Sequence, residues 1–252
     1  MQIRQARQVL ELLEYFAQRK EPATQAQIAD HFDWPRSSTY NLVETLTDTG
    51  FLFQPISRGG YYPTPRWLLL AQAITEAQPL PEALHALAAD LTRETEETTI
   101  IGGPAGTSAV FLHTVESELP VRYTAKVGHC VPIHMTATGR AILSQLPEKE
   151  FASIIRRVRF ERFTDTSLLS VEEVEKEMQK ARERGWHENL AGHKTDLYGV
   201  GLPLTIDGRH LSVVVAGPKF RMEHRMPEIA EIMKRAIARY GFGVKADEKK
   251  AT

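Results

Sequence analysis

A chain of 252 residues with 42% hydrophobic and 25% charged side chains is ordinary globular material, long enough for one small and one medium domain. Its formal net charge of −1 excludes whole-molecule attraction to nucleic acid or membrane, and its lone cysteine, Cys130, excludes an internal disulfide framework and fits a reducing cytoplasm. No apolar run approaches the ~18 residues of a membrane span, and Glu11 and Glu14 interrupt the first apolar helix, so neither a transmembrane segment nor a secretory signal is expected.

After that helix, Thr24 to Phe32 (TQAQIADHF) and Arg36 to Leu46 (RSSTYNLVETL) flank a short break at Asp33, Trp34 and Pro35. Ile28, Ala29 and Phe32, then Leu42, Val43 and Leu46, give each segment one face to bury, and Pro35 suits the first position of the second helix. The pattern predicts a winged helix-turn-helix, which inserts its second helix into the DNA major groove. The opposite face of that helix carries Arg36, Ser37, Ser38, Tyr40, Asn41 and Thr45, the donor and acceptor types that reach base edges and phosphates. Phe51-Leu52-Phe53 and Gly60-Tyr61-Tyr62 predict a two-stranded wing with Arg58 at its tip, aimed at the minor groove or a phosphate. The same constellation also serves as a packing unit, with the wing making protein contacts. Residues 1–66 balance seven basic against seven acidic side chains. One domain therefore lacks a basic footprint, and useful affinity calls for a symmetric oligomer on a roughly palindromic site.

Tyr62-Pro63-Thr64-Pro65 ends the wing, and Arg66 to Gln78 (RWLLLAQAITEAQ) reads as a helix that is apolar nearly all round. Such a connector is expected to be buried, either against a second copy or on its own chain. From residue 81 helices and strands alternate. Helices are expected at 81–94, 138–145, 147–158, 170–184 and 227–240, with Ser170 and Glu173 as a capping box and Gly185 as a stop. Strands are expected at 98–101, 108–115, 122–127, 186–190, 198–205 and 210–216, with 159–164 extended and Ile206-Asp207-Gly208 as a hairpin turn. Gly102 to Gly106 (GGPAG) lacks the Lys and Ser/Thr of a phosphate loop and reads as a turn. The architecture expected is α+β, with an antiparallel sheet flanked by helices.

Two segments of the second domain carry chemistry. Val127 to Leu143 (VGHCVPIHMTATGRAIL) runs into a helix that Thr136 or Thr138 can cap. Free N–H groups near Ala137, Thr138 and Gly139 at its positive end suit a carboxylate or phosphate, and equally suit water. Gly185 to Asn189, Gly199 to Leu204 and Val213 to Pro218 are small-residue strands that leave room for a ligand or mark close backbone approach. His129, His134, His187, His193 and His210 show no metal-ligand spacing, so neither metal nor cofactor is expected. Cys130 near His129 and His134 lacks an orienting third group, so a buried, non-catalytic cysteine is expected. Arg140 is expected either to pair with an acid or to pack at the surface.

The chain resembles the IclR-type transcriptional regulators from Arg7-Gln8-Val9-Leu10 to Ala216-Gly217-Pro218. The motif most specific to them is Gly128 to Ala141 (GHCVPIHMTATGRA), backed by Arg184-Gly185-Trp186, Gly201 to Leu204 (GLPL) and Gly217-Pro218. The resemblance implies an N-terminal winged helix-turn-helix (1–64), a dimerising linker helix (65–80), and a GAF-like effector-binding α/β domain with a central antiparallel sheet (81–246), ahead of a flexible tail (247–252). It implies dimers pairing into tetramers, operator DNA as partner, and control of a catabolic operon by a small carboxylate. Carried over by position, the effector pocket comprises Val131, Ala137, Thr138, Asn189, Gly199, Val214 and Ala216. His134, with Thr138 and Asn189, makes it polar and favours a hydroxylated or sugar-derived acid. Asn189 stands where many members have an acidic residue, and Asn41 where a recognition-helix Arg is common.

The leading expectation is a non-enzymatic cytoplasmic repressor whose operator binding a ligand modulates. The alternatives are a constitutive DNA binder with an oligomerising C-terminal domain, and an enzyme acting on a small acid.

Overall fold

The structure, a computed structural model, describes residues 3–56, 59–77 and 79–242. The expected wing-tip Arg58 and the tail at 247–252 lie outside the described residues. The chain divides into two compact units, residues 1–79 and 80–252.

The first unit contains α1 (Arg4–Arg19), α2 (Gln25–Phe32), α3 (Arg36–Asp48), the two-stranded antiparallel ribbon β1 (Leu52–Phe53) and β2 (Tyr62–Pro63), and α4 (Arg66–Ala77). Thr24 and Gln27 form a reciprocal capping box: Thr24 Oγ1 accepts from Gln27 N–H, and Gln27 Oε1 accepts from Thr24 N–H. Asp33 ends α2 in the left-handed region at φ 52°. Pro35, expected as the first helical residue of α3, is instead its N-cap. Its ψ of 132° is extended and cannot begin a helical turn. The core gathers Leu12, Phe16, Ile28, Val43, Leu46 and Leu52. An isolated bridge, Ala23 to Tyr61, ties the base of the wing to the segment ahead of α2.

The second unit opens with α5 (Glu82–Thr95), β3 (Thr98–Ala105), β4 (Ser108–Val115), β5 (Cys130–Pro132) and α6 (Ala137–Leu143). It continues with α7 (Glu148–Ile155), α8 (Val171–Arg184), β6 (His187–Leu190), β7 (Leu197–Ile206), β8 (Arg209–Pro218), α9 (Lys219–Met222) and α10 (Met226–Arg239). The six strands form one antiparallel sheet in the order β5-β4-β3-β8-β7-β6. Alternation along β8 divides its residues between two cores. Val213 and Val215 pack with Leu87 and Leu91 of α5 and Ile229 and Met233 of α10, while Val214 and Ala216 pack with Ile100, Phe111, Ala137 and Ile142. Asp207 (φ 49°) and Gly208 (φ 73°) close the β7-β8 hairpin in the two-residue turn that needs positive φ twice.

Several expectations need correction. Residues 122–126 form no strand, because the adjacent edge of β4 is already paired by β5, a strand the sequence reading missed. The segment is instead held across the sheet end, with Thr98 Oγ1 donating to Tyr123 O at 2.6 Å. Residues 159–164 are likewise irregular, and the Ser167 hydroxyl takes the N–H groups of Phe163 and Thr164. Gly102 to Ala105 extend β3, and the turn shrinks to Gly106-Thr107. At α8 the Ser170 hydroxyl accepts from Glu173 N–H, but the Glu173 carboxylate takes the N–H of Leu169, one residue earlier than in a capping box. Cys130 is exposed rather than buried, because β5 is the edge strand.

Candidate DNA-contacting helix and ligand cavity

Thr39 and Val43 turn α3 toward its own core, and Thr39 Oγ1 donates back to Pro35 O. Helical spacing then leaves Arg36, Ser37, Ser38, Tyr40, Asn41 and Thr45 all exposed on one connected face. Thr45 Oγ1 donates to Asn41 O at 2.7 Å, so its oxygen is left as an acceptor and its methyl group as an apolar contact for a partner. Arg36 stands 3.4 Å from Asp30 with both side chains largely in water, a pairing too weak to hold the guanidinium back. Burial, with Glu44 and Tyr40 nearby, raises the pKa of Tyr61 at the base of the wing. In α4, no residue is buried and Leu68, Leu69, Leu70 and Ile74 are 43–72% exposed.

In the second unit, Val131, Ala137, Thr138, Asn189, Gly199, Val214 and Ala216 line one cavity between the sheet and the start of α6. The register makes this possible: Asn189 pairs with Gly199, and Gly199 with Ala216. Glycines let α6 approach the strands, for a Cβ on Gly102 would run into Thr138 and one on Gly201 into Ala137. Thr136 is the cap, its hydroxyl accepting from Gly139 N–H, which leaves the N–H groups of Ala137 and Thr138 without intrahelical acceptors. Asn189 Nδ2 donates to Leu197 O at 3.1 Å, while its buried Oδ1 has no partner. The free volume is about 30 Å³, room for about one or two waters.

Sequence reasoning missed Ile100, Phe111, Tyr123, Thr136, His193, Leu197 and Tyr198 in this lining. Strand alternation could have found Ile100, which lies opposite Val214. Tyr123 and His193 come from irregular segments with no period to read. Burial raises the pKa of Tyr123; burial, then Lys194 and His129, lower that of His193.

His134 does not line the cavity. The turn at 133–135 breaks the alternation that continues from Val131, and the ring packs edge-on against Phe160 instead. Both ring nitrogens lack partners, and burial, reinforced by Arg140, pushes its pKa down to about 4. Arg140 neither ion-pairs directly nor lies at the surface. Its side chain is buried and donates to the carbonyls of His134, Met135 and Glu188, tying α6 to β6. Burial lowers its pKa to about 10. His187 is pushed to about 3 by burial and then by Arg140 and neighbouring arginines.

Comparison with known proteins gives these sites a context. A family profile for the IclR helix-turn-helix domain matches residues 6–55, and one for the bacterial transcriptional regulator IclR C-terminal region matches residues 72–239. The Acetate operon repressor of Salmonella typhimurium is 22% identical over 232 residues, 90% of this chain and 85% of that protein. The HTH-type transcriptional repressor AllR of Escherichia coli K12 is 24% identical over 233 residues, 88% of this chain and 83% of that protein. The crystal structure of an IclR family transcriptional regulator from Brucella abortus superposes with TM-score 0.75 at 20% identity, covering 97% of this chain and 93% of that one. The Thermotoga maritima IclR superposes with TM-score 0.66 at 20% identity, covering 93% and 97%. With both units matched in order by family profiles, the chain belongs to the IclR family of DNA-binding transcriptional regulators.

Proposed function

We propose that the protein represses a catabolic operon, that α3 and the wing contact operator DNA, and that a small organic acid bound in the second unit modulates that binding. The observation that carries this reading is the convergence of Val131, Ala137, Thr138, Asn189, Gly199, Val214 and Ala216 on one cavity. The N–H groups of Ala137 and Thr138 suit a carboxylate, and the Thr138 hydroxyl and the unpartnered Oδ1 of Asn189 suit hydroxyls on a sugar-derived acid. An acid of that size needs more than the present 30 Å³, so binding displaces a lining side chain such as Tyr123 or His193. The relative named for an acetate operon supports control of acid metabolism.

Arg36, Ser37, Ser38, Tyr40, Asn41 and Thr45 are the proposed contacts on α3, with Arg58 assigned to the wing from sequence alone. The exposed leucines of α4 supply the apolar surface of a homodimer, and dimers pair into a cytoplasmic homotetramer. Among the described residues, no helix is long and apolar enough to cross a membrane.

The cavity's small volume favours a second reading, a constitutive DNA binder whose C-terminal unit only oligomerises. A thermal-shift screen against sugar acids, keto acids and aromatic acids separates the two. The regulator predicts stabilisation by one class, lost in Thr138→Trp while operator binding persists. No stabilisation by any class, with the protein folded and bound to its operator, selects the constitutive binder.

A further inference from the structure

Thr39, Val43 and Leu46 are the residues that α3 buries. At about 100° per residue, Asn41 stands about 165° around the helix from their mean direction, so of the exposed residues it projects most nearly straight out from the core of its unit. Ser37 and Thr45 lie one turn to either side, and the three form a single exposed stripe at four-residue spacing. The Thr45 hydroxyl proton is committed to Asn41 O, a bond that ties Asn41 by its main chain and leaves its side chain untouched. Among the described residues the Asn41 amide has no partner within the chain, so its N–H groups and its oxygen are all open to one outside it.

An amide offers a donor and an acceptor side by side in one plane. In the major groove adenine presents the matching pair, N7 as acceptor and the N6 amine as donor, and both can be met at once. Guanine presents two acceptors, N7 and O6, so the amide oxygen would face O6 with no proton between them. The cytosine amine and thymine O4 each engage only one of the two groups. Guanine calls instead for a guanidinium or an ammonium, and the guanidinium of α3, Arg36, begins five residues before Asn41, about 7.5 Å along the axis. That is about two base-pair rises of ~3.4 Å, away from the pair that Asn41 faces. On the other side Thr45, its proton already given to Asn41 O, has no donor for the acceptors of guanine.

We infer that Asn41 is the residue by which the protein reads adenine in its operator, its amide N–H donating to N7 and its oxygen accepting from N6, and that this A·T pair lies within each half-site contacted by α3. The inference rests on the proposed contact of α3 with operator DNA, to which it adds the identity of a base. Ser37 and Thr45, to either side along the stripe, border the same pair without a guanine-specific group.

The test selects duplexes from a randomised pool with the full chain, then measures wild type and Asn41→Ala by fluorescence anisotropy on the selected site and on single-pair substitutions of it. Expected is one A·T pair per half-site whose change to G·C weakens wild type about 5- to 150-fold, while Asn41→Ala binds both duplexes alike. 7-Deazaadenine at that position, which replaces the N7 acceptor by C–H, should weaken wild type and leave the variant unchanged. Asn41→Ala exchanges an exposed residue for a stronger helix former and should fold, which thermal unfolding checks. Should it not, 7-deazaadenine placed at each adenine in turn still answers with wild type alone. The inference is overturned, with operator binding intact, if the pair relaxed by Asn41→Ala is G·C, if no pair is relaxed, or if 7-deazaadenine at every adenine of the site binds as adenine does. No enriched sequence from the folded protein would instead remove the DNA-contacting role of α3 on which the inference rests.

Discussion

The methyl group of Thr138 at the start of α6 rests in the space that a side chain at Gly102 of β3 would fill, with Ser212 Oγ 2.8 Å from the same point. Gly102 thus sets how closely the helix that borders the cavity approaches the sheet. Gly102→Ala should cost about 1–3 kcal/mol by overpacking. A lower urea midpoint with an unchanged m-value would register it, and a midpoint equal to wild type would show that α6 can shift freely.

Arg36→Ala should weaken operator binding by about 1–3 kcal/mol if the guanidinium reads a base. If it meets a phosphate, the loss should be uniform across sequences and the salt slope should fall by about one. Fluorescence anisotropy at several salt concentrations distinguishes these outcomes. Ligand-dependent stabilisation should be the same as in wild type, because the cavity belongs to the other unit.

His134 and His187 are buried neutral, with pKa values pushed down to about 4 and about 3 from the ordinary 6.5. Unfolding restores ordinary values, so the unfolded chain binds protons first as pH falls. Stability should be fully present above pH 6.5, decline as pH falls below it, and go on being lost down to the folded values near 4 and 3. By the lower end of that window the loss is at most on the order of 3 kcal/mol for His134 and on the order of 4 kcal/mol for His187. Urea unfolding between pH 8 and 5 should show the decline, and His134→Leu should make it shallower. An equal slope in that variant would assign the acid sensitivity to other groups.

Glu97 is fully buried, and Arg221 grips both its oxygens at 2.6 and 2.9 Å while also donating to Val121 O. Arg221→Ala would leave that carboxylate uncompensated and should cost about 3–5 kcal/mol. Protease cleavage should also quicken within residues 116–129, since Val121 loses its tether. Glu97→Gln with Arg221 retained should cost less, because the amide keeps an acceptor for one guanidinium bond.

Much of this fold was legible where local chemistry dictates it. The break at Asp33-Trp34-Pro35, the Asp207-Gly208 turn and the Gly185 stop each follow from a residue's own conformational preference. The seven pocket positions carried over from the family line one cavity, because strand register preserves which face a residue occupies, while His134, added for its polarity, does not join them. The reading failed where partners distant in sequence decide. Whether 122–127 is a strand depends on which segment first takes the edge of β4, and whether His134 faces the cavity depends on a turn three residues long. Arg140 looked like a surface or ion-pairing residue because no local pattern announces three carbonyl acceptors, one of them 48 residues away.

The Ala23–Tyr61 bridge has a genetic consequence. Ala23 N–H donates to Tyr61 O and Tyr61 N–H to Ala23 O, and a Cβ on neighbouring Gly60 would strike the Ala23 backbone. The wing therefore takes its bearing from a residue that lies ahead of α2 and is itself fully buried. In a screen for operator-blind mutants, changes at Ala23 or Gly60 should surface beside those in α3, although Ala23 is fully buried and Gly60 carries no side chain. They would be aiming defects, to be told from contact defects by wild-type salt dependence of the binding that remains.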